Sequence, residues 1–306
     1  IVPTAQLLEK QSDKYISILK TTGIQKISKF NKDLKIKVIY DFLLERAKSD
    51  LKINPDGIIV CTQTPDESMP ALSSQIAFRN KIKNISFFCD INAGCTGFVD
   101  VCELANYNLL NESGKYIYCF TGDINSRIVN ENDYSLACVF GDLINLSVLK
   151  LNNNNERNSF FKQSISLNYC RSIYRELNEY MYMNGMEVMS FINELVIPSL
   201  LDYLEKLSKK DLLDDYTLVI HQANRFIVEF INKKVKKKFT EIKISNFSMD
   251  FVGNSGSSTI PQNIINNFGK SSKAMKFVIC GFGVGMKVNI GNIEISKTAS
   301  FYDLVL

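Results

Sequence analysis

Three residues of this chain have types and surroundings that could make a reaction centre with a cysteine nucleophile, namely Cys95, His221 and Asn254. Cys95 lies in DINAGCTGF, directly after an apolar strand-like run and at the start of a helical pattern. Small neighbours permit the sharp strand-to-helix turn that exposes a nucleophile, and glycines stand at 94 and 97. A helix N-terminus favours a thiolate, so we expect this position to lower the pKa of the Cys95 thiol.

His221 is the only histidine of the chain, and it follows the strand-like run YTLVI. Ligands of open α/β sheets gather at the carboxyl ends of strands, which makes His221 a candidate site residue, although a lone histidine is more often a satisfied core or surface residue. Asn254 lies in VGNSGSSTIP, in the place in the second half that Cys95 has in the first, although by itself this Gly/Ser-rich segment is more typical of a turn or N-cap residue. The segment CGFGVG could offer the Gly283 N–H to an oxyanion.

Short apolar runs that alternate with helical patterns must position these residues. The predicted strands and strand pairs cover residues 57–62, 85–91, 116–123, 135–151, 216–222, 241–247, 276–283 and 286–296. An Asn-rich break at Asn152–Asn155 and a helical region over about 171–208 separate the first four from the rest. Both parts have the order β-α-β-α-β-β-β, which predicts two pseudo-duplicated α/β halves, 1–151 and 152–306.

Composition excludes several classes of protein. With 45% hydrophobic and 22% charged residues, the 306-residue chain is neither disordered nor fibrous. A net charge of +4 does not indicate nucleic-acid binding, and no apolar run is long enough for a membrane span. Eight scattered cysteines without CxxC pairs favour a reducing, cytoplasmic compartment, and a single histidine excludes the common zinc motifs, so we expect no metal. We also expect no secretion signal.

Taken together, the segments resemble the β-ketoacyl-ACP synthase III family of condensing enzymes. NAGCTGF resembles the nucleophile motif of that family, VIHQAN its histidine motif and VGNSGSSTIP its asparagine motif, and TTGI, CTQTPDESMP and MNGMEV also match, in the family's order. The resemblance extends from about Leu7 to Ile295. It implies a thiolase-like α/β fold, in which the two βαβαβββ halves form a layered αβαβα core.

The resemblance also implies roles for individual residues. Cys95 would be acylated by a primer thioester, with the N–H groups of Cys95 and Gly283 as the oxyanion hole. Decarboxylation of malonyl-ACP would then give an enolate, held by His221 and Asn254, that attacks the acyl group in a Claisen condensation of fatty acid biosynthesis. No cofactor is implied, because acyl-CoA or acyl-ACP and malonyl-ACP are substrates.

Further positions follow from the same resemblance. A homodimer is implied, with Met69 closing the acyl pocket of the partner subunit. The other implied positions are Asn224, Gly185 and Met189 for substrate binding and Arg225, Lys233 and Lys234 for docking of acyl carrier protein. The run NKKVKKKF over 232–239 is basic enough to attract an acidic carrier.

The chain departs from the family's usual pattern where the primer's nucleotide binds. It has no Trp, and Thr21 stands where the family has an Arg. Met189 and Ser190 replace a Phe-Lys pair, and Arg225 directly follows Asn224 instead of lying one position later. We therefore expect a specialised relative with a primer other than acetyl-CoA.

Two other functions remain open from the residues. An acyltransferase of the same fold would pass the acyl group from Cys95 to a hydroxyl or amine, with His221 as general base. A carrier-binding subunit with a vestigial site would have no need of Cys95 or His221, and both are present.

Overall fold

The computed structural model of the chain describes residues 2–3, 20–31, 33–111, 116–150, 161–296 and 299. Its strands are β1 (Val2–Pro3), β2 (Lys26–Ile27), β3 (Gly57–Cys61), β4 (Phe87–Ile91), β5 (Tyr116–Asp123), β6 (Leu143–Lys150), β7 (Phe161–Ile165), β8 (Ile173–Tyr174), β9 (Tyr182–Met183), β10 (Tyr216–Ile220), β11 (Lys243–Ile244), β12 (Met275–Gly283) and β13 (Lys287–Ile295). The α-helices are α1 (Ile36–Leu51), α2 (Leu72–Arg79), α3 (Gly97–Asn111), α4 (Tyr134–Ala137), α5 (Gly185–Phe191), α6 (Ile197–Ser208), α7 (Arg225–Lys238) and α8 (Thr259–Phe268). A π-helical segment, Ile192–Val196, joins α5 to α6.

Two mixed sheets share one topology. The first has the order β4-β3-β5-β6 and the second the order β11-β10-β12-β13-β7. In each sheet the first three strands are parallel and the next is antiparallel to them. The second sheet has one more strand, because β7 pairs with the outer edge of β13.

Apolar side chains arrange these sheets and helices in five layers. Helices α1 and α2 cover the outer face of the first sheet, where Tyr40 and Phe120 are fully buried. Helices α3 and α8 lie between the sheets: Val101 of α3 packs on the first sheet, and Ile264 of α8 packs on the second. Helices α5, α6 and α7 cover the outer face of the second sheet. Burial on both faces explains why the central strands are continuous apolar runs.

The predicted thiolase-like α/β fold with its layered αβαβα core is confirmed, with differences in detail. Each predicted strand pair is a single strand, Leu143–Lys150 or Lys287–Ile295, and residues 134–137 form the short helix α4. The order of elements in each half is therefore β-α-β-α-β-β. The predicted helical region begins only at Gly185, because β8 and β9 form a hairpin-like pair before it. The Asn-rich break and the predicted boundary between residues 151 and 152 lie outside the described residues.

Among the helices of the described residues, none combines the length and apolar character that crossing a bilayer requires.

Candidate active site

Cys95 lies in a tight turn between β4 and α3. The 3₁₀ turn Gly94–Thr96 precedes the helix, and Gly94 has a φ of 51°, in the left-handed region that favours glycine. Thr96 Oγ1 donates to the Asp100 carboxylate at 2.5 Å, and Lys287 Nζ lies 2.8 Å from the same carboxylate. These contacts tie the start of α3 to β13 and fix the turn that presents the thiol.

The end of β12 packs directly against this turn. A Cβ placed on Gly283 would lie 2.8 Å from Cys95 Cβ and 3.1 Å from Sγ, and one on Gly281 would lie 2.7 Å from Thr96 Cα. Glycine is therefore required at both positions by the close approach of the two chains. The backbone N–H groups of Val284, one residue beyond the predicted Gly283, and of Cys95 itself lie beside the Cys95 sulfur and lower the pKa of the thiol. Two amides are thus close to the thiol, and in an oxyanion hole such amides donate to the carbonyl oxygen of the bound acyl group.

The pKa of the Cys95 thiol is raised, contrary to the prediction from the helix N-terminus. Burial of the side chain, 7% exposed, raises the pKa to about 12, and the N–H of Val284 offsets this only in part. The buried carboxylate of Asp123 contributes a further increase. The resting side chain is consequently a neutral thiol, which needs a proton acceptor before it can attack an acyl group.

His221 follows β10 and is buried, with 2% of its surface exposed. Nδ1 lies 2.6 Å from Thr259 Oγ1, at the start of α8, and the ring meets Phe282 edge-on with centroids 5.3 Å apart. Phe282 stands between Gly281 and Gly283, so the histidine and the thiol flank the same end of β12. Burial lowers the pKa of His221 to about 3, which keeps the imidazole neutral.

Asn254 is buried in the loop that leads to α8. Its Oδ1 accepts a hydrogen bond from the Gly256 N–H at 3.0 Å, and its backbone pairs with the 139–141 segment of the first half. An oxygen must face that N–H, so the Nδ2 amide group is the one left to donate. Nδ2 donates no hydrogen bond within the described residues. The contact between Oδ1 and the Gly256 N–H is an Asx turn, as the turn interpretation predicts, and it leaves Nδ2 as a donor.

The structure brings these groups together through α8 and β12. Thr259 Oγ1 contacts His221, and it also lies 3.1 Å from the carbonyl of Gly256, whose N–H holds Asn254. A Cβ on Gly97 would lie 2.9 Å from the Cβ of Ser257, so the cysteine turn and the asparagine loop pack against each other. The predicted nucleophile, histidine and asparagine therefore line one region at the centre of the molecule.

Two predicted substrate residues have well-defined surroundings. Asn224 caps α7, its Oδ1 accepting from the Ile227 N–H at 2.9 Å, which leaves its amide group free to bind. Arg225 lies with its guanidinium 5.2 Å from the Phe247 ring and its Nε over the Cα of Gly23, where a Cβ would be 2.3 Å away. The arginine thus lies against the TTGI segment, in which Thr21 replaces the family's Arg.

The remaining predicted residues are farther from the thiol or on the surface. Met189 packs against the outer core of the second half, and Gly185 begins α5 with open space around its Cα. Met69 is 78% exposed on a loop of the first half, before the cis peptide bond to Pro70. Lys233 and Lys234 are exposed on α7.

Three residues of this site were missed from the sequence. Val284 could have been found only by knowing which amide of CGFGVG faces the sulfur. Thr259 lies within VGNSGSSTIP, five residues after Asn254, and no sequence signal separates it from the neighbouring hydroxyl residues. Asp123 ends β5 in an ordinary apolar strand, yet it is 1% exposed and accepts from Thr62 Oγ1 at 2.9 Å.

Comparisons with known proteins agree with this geometry. The sequence model of 3-oxoacyl-[acyl-carrier-protein] synthase III matches residues 89–165, which include the cysteine turn. A β-ketoacyl-[acyl-carrier-protein] synthase III of Clostridium perfringens is 28% identical over 251 residues, 76% of this chain and 75% of that protein.

Solved structures share the fold. A 3-oxoacyl-(acyl-carrier protein) synthase from Burkholderia xenovorans superposes with a TM-score of 0.86 at 19% identity, over 97% of this chain and 90% of that one. A priming β-ketosynthase from a polyketide biosynthetic pathway gives 0.81 at 19% identity, over 96% and 92%. The matched segment, the curated relatives and the shared fold thus make the chain similar to the β-ketoacyl-ACP synthase III family.

Proposed function

We propose that this protein is a decarboxylative condensing enzyme that joins an acyl primer to malonyl-ACP through an acyl-Cys95 intermediate. The observation that carries the proposal is the buried thiol with two backbone N–H groups on it, beside a neutral imidazole and a free amide donor. Similarity to a curated relative that bears the name of that synthase supports the same reaction.

The first half-reaction would load the cysteine. Sγ attacks the carbonyl carbon of the primer thioester while His221 accepts the thiol proton, and the N–H groups of Cys95 and the 283–284 turn hold the tetrahedral oxyanion. Each such donor is worth about 3 kcal/mol of transition-state free energy in comparable sites. Collapse of the intermediate releases the carrier thiol, which takes the proton back, and leaves acyl-Cys95.

The second half-reaction would form the carbon–carbon bond. Malonyl-ACP loses CO₂, and the resulting enolate oxygen accepts hydrogen bonds from the imidazole N–H of His221 and from Asn254 Nδ2. Both donors are neutral, so neither protonates the carbanion before it attacks acyl-Cys95. The product is a 3-oxoacyl-ACP two carbons longer than the primer, and Cys95 leaves as a thiolate that takes up a proton from solvent to return to the thiol.

Carboxyl-labelled malonyl-ACP with a panel of acyl-CoA and acyl-ACP primers tests the proposal. We expect labelled CO₂ release coupled to a product two carbons longer, and an Asn254→Ala variant that still acylates Cys95 but releases CO₂ about 100-fold more slowly. An unchanged CO₂ rate in that variant would refute the condensing role. Acylation of Cys95 followed by an ester or amide product, without malonyl consumption, would instead establish the acyltransferase.

The specialised primer is supported by the surroundings of Arg225. This side chain, about half exposed, lies across Gly23 and Phe247, where the TTGI segment lacks the family's Arg and the chain lacks any Trp. A single guanidinium can contact a phosphate group, but without a Trp no indole ring is present to stack on an adenine. We therefore expect acyl-ACP or a non-acetyl thioester to outcompete acetyl-CoA in the primer panel.

Docking of acyl carrier protein is supported by the exposed face of α7. Lys238 pairs with Glu205, whereas no carboxylate within the described residues lies within ion-pair distance of Lys233 or Lys234. The ammonium groups of these two lysines on α7, which have no ion-pair partner within the described residues, are therefore available to an acidic carrier.

A homodimer is supported by the free edge of the first sheet. Strand β4 pairs only with β3 in the described structure, and Phe88, Met69 and Phe78 nearby are 50%, 78% and 83% exposed. An exposed edge strand with large apolar side chains favours pairing with another chain. Sedimentation should give a dimer for the wild type and a monomer for Phe88→Lys, and a monomeric wild type would refute this arrangement.

A further inference from the structure

The contact between His221 and Thr259 bears on how one imidazole could serve both half-reactions. Nδ1 lies 2.6 Å from Thr259 Oγ1, and both residues are buried, 2% and 0% exposed. The same oxygen lies 3.1 Å from the carbonyl of Gly256 and 3.3 Å from the backbone N of Gln222. One hydroxyl therefore faces three polar groups with a single hydrogen to give.

The donors and acceptors around this hydroxyl allow two arrangements. The Gln222 N–H only donates and the Gly256 carbonyl only accepts, whereas Nδ1 of a neutral imidazole does either. If the hydroxyl hydrogen points to Gly256, Oγ1 accepts from Nδ1–H, and Nε2 is the bare, basic nitrogen. If the hydroxyl turns to Nδ1, the proton of His221 lies on Nε2. The hydroxyl donates to the Gly256 carbonyl in the first arrangement, and in the second it donates to Nδ1 instead.

No stronger group fixes the ring. Within the described residues, the only hydrogen bond to the imidazole comes from Thr259, and the ring otherwise meets Phe282 edge-on. A carboxylate at Nδ1 would hold one tautomer and favour the charged ring. A hydroxyl does neither, because it donates and accepts equally well and carries no charge.

We propose that Thr259 is a positioning residue whose hydroxyl, by turning between Gly256 and His221, lets Nε2 accept a proton during acylation and donate a hydrogen bond during condensation. The inference rests on the proposed function. During acylation Nε2 takes the proton of Cys95 as the sulfur–carbon bond forms and passes it to the departing thiolate, so the ring returns to its starting tautomer. Exchange of protons with water before malonyl-ACP binds then gives the Nε2–H form.

The single histidine makes the tautomer directly measurable. In protein labelled with ¹⁵N-histidine, the two ring nitrogens give the only histidine signals, and their shifts report which one carries the proton. We expect a protonated Nδ1 in the free wild type and in Thr259→Ser, and a shift of the population towards Nε2–H in Thr259→Val. An unchanged spectrum in Thr259→Val would overturn the role of Thr259 whatever its activity.

Rates of the two half-reactions provide the second readout. Intact-mass measurements should show that Thr259→Val acylates Cys95 at least about tenfold more slowly, whereas CO₂ release by the already acylated variant falls less than threefold. Thr259→Ser should restore acylation. Equal loss in both half-reactions would indicate mere misplacement of the ring and would overturn the proposal.

A matched control separates these effects from packing. Thr121 is a fully buried threonine on β5 whose hydroxyl has no hydrogen-bond partner within the described residues. Thr121→Val should therefore leave the histidine spectrum and both rates unchanged. If the wild type acylates Cys95 but never releases CO₂, the condensing function and the donor role fail together, while the spectrum and the acylation rate still decide the acceptor role of Thr259.

Discussion

The two halves of the molecule use the same backbone turn for different chemistry. Gly94 and Gly256 have φ values of 51° and 62°, and each begins a 3₁₀ turn that leads into a central helix. The next residue is Cys95 in the first half and Ser257 in the second. The position of Cys95 in the duplication is therefore that of Ser257, and the prediction that Asn254 occupies it is wrong. The repeated backbone decides which positions reach the centre, and the residue there decides the chemistry.

The strand ends differ in the same way. Thr62 follows β3 as His221 follows β10, and Asp123 ends β5 as Gly283 ends β12. In the first half the two polar side chains hydrogen-bond each other. In the second half the missing side chain of Gly283 leaves room for Cys95, and the histidine turns to Thr259 instead. In one half the two polar side chains thus pair with each other, and in the other half a glycine makes room for the side chain of Cys95.

The largest expected effect tests whether the cysteine of the first half is the sole nucleophile. Cys95→Ala should reduce acylation by more than about 1,000-fold, because no other thiol within the described residues has two backbone N–H groups beside it in this way. The control is Cys102→Ala on α3, the helix that follows the cysteine turn; Cys102 is also buried, and this variant should remain acylated despite a lower melting temperature. Intact mass after incubation with an acyl thioester measures both, and a persistent adduct on Cys95→Ala would point to Ser257 or another residue.

The next effect tests the space that glycine leaves at the end of β12. Gly283→Ala would place a Cβ 2.8 Å from that of Cys95, whereas Gly285→Ala would meet nothing within 4 Å, although both glycines have positive φ. We expect the acylation rate to fall about 100-fold in Gly283→Ala, where the new Cβ meets Cys95 and the backbone conformation (φ 148°, ψ −123°) is one that essentially only glycine adopts. In Gly285→Ala, at φ 75° and ψ 5°, the rate should change little. Equal rates in the two variants would contradict the need for glycine at the end of β12.

A smaller effect distinguishes His221 in the second half from Asp123 in the first half by the pH dependence of the free energy of unfolding. Burial lowers the pKa of His221 from 6.5 to about 3, so below pH 6.5 only the unfolded chain takes up that proton and the free energy of unfolding falls. Burial raises the pKa of Asp123 from 3.8 to about 6, so between pH 6 and 4 the folded chain takes up a proton and the free energy rises. Each slope is about 1.4 kcal/mol per pH unit, and the two nearly cancel.

Removing one group should expose the other. Asp123→Asn keeps an oxygen acceptor for Thr62, and its unfolding free energy should fall about 2–3 kcal/mol more than that of the wild type between pH 6 and 4. His221→Gln should instead gain relative stability over the same range. Urea denaturation at each pH measures both, and parallel curves for the three proteins would contradict the assignment.

The smallest effect compares charge on the two halves. Replacing Lys233 and Lys234 by glutamate should raise KM for malonyl-ACP severalfold, less so at high salt, because exposed ion pairs are worth about 1 kcal/mol or less. Lys83→Glu, an exposed lysine in the first half, is the matched control and should leave KM unchanged. A KM that rises equally in both would indicate general charge repulsion.

The sequence allowed much of this to be predicted because the signals are local. Apolar runs identified β3, β5, β10 and β12 within a residue or two, and small residues around Cys95 identified its turn. The wrong strand boundaries arose where tertiary packing, not the local sequence, decides whether an apolar run forms one strand or two. The long strand β13 continues through Gly291 because the Phe161 ring of β7 fills the space beside that glycine, a contact that no local pattern reveals.

By itself, the sequence determined the residue types of the site, the resemblance to a family and the layered α/β fold, because motif spacing and hydrophobic periodicity are properties of neighbouring residues. Only the tertiary structure decided the protonation of the site. The Cys95 thiol is neutral because burial outweighs the helix N-terminus, and His221 stays uncharged because apolar surroundings penalise its charged form. Which amide reaches the sulfur and which hydroxyl meets the imidazole are equally matters of how β12 and α8 pack against the cysteine turn. Desolvation and hydrogen bonding depend on residues far apart in the chain, and folding alone brings them within reach.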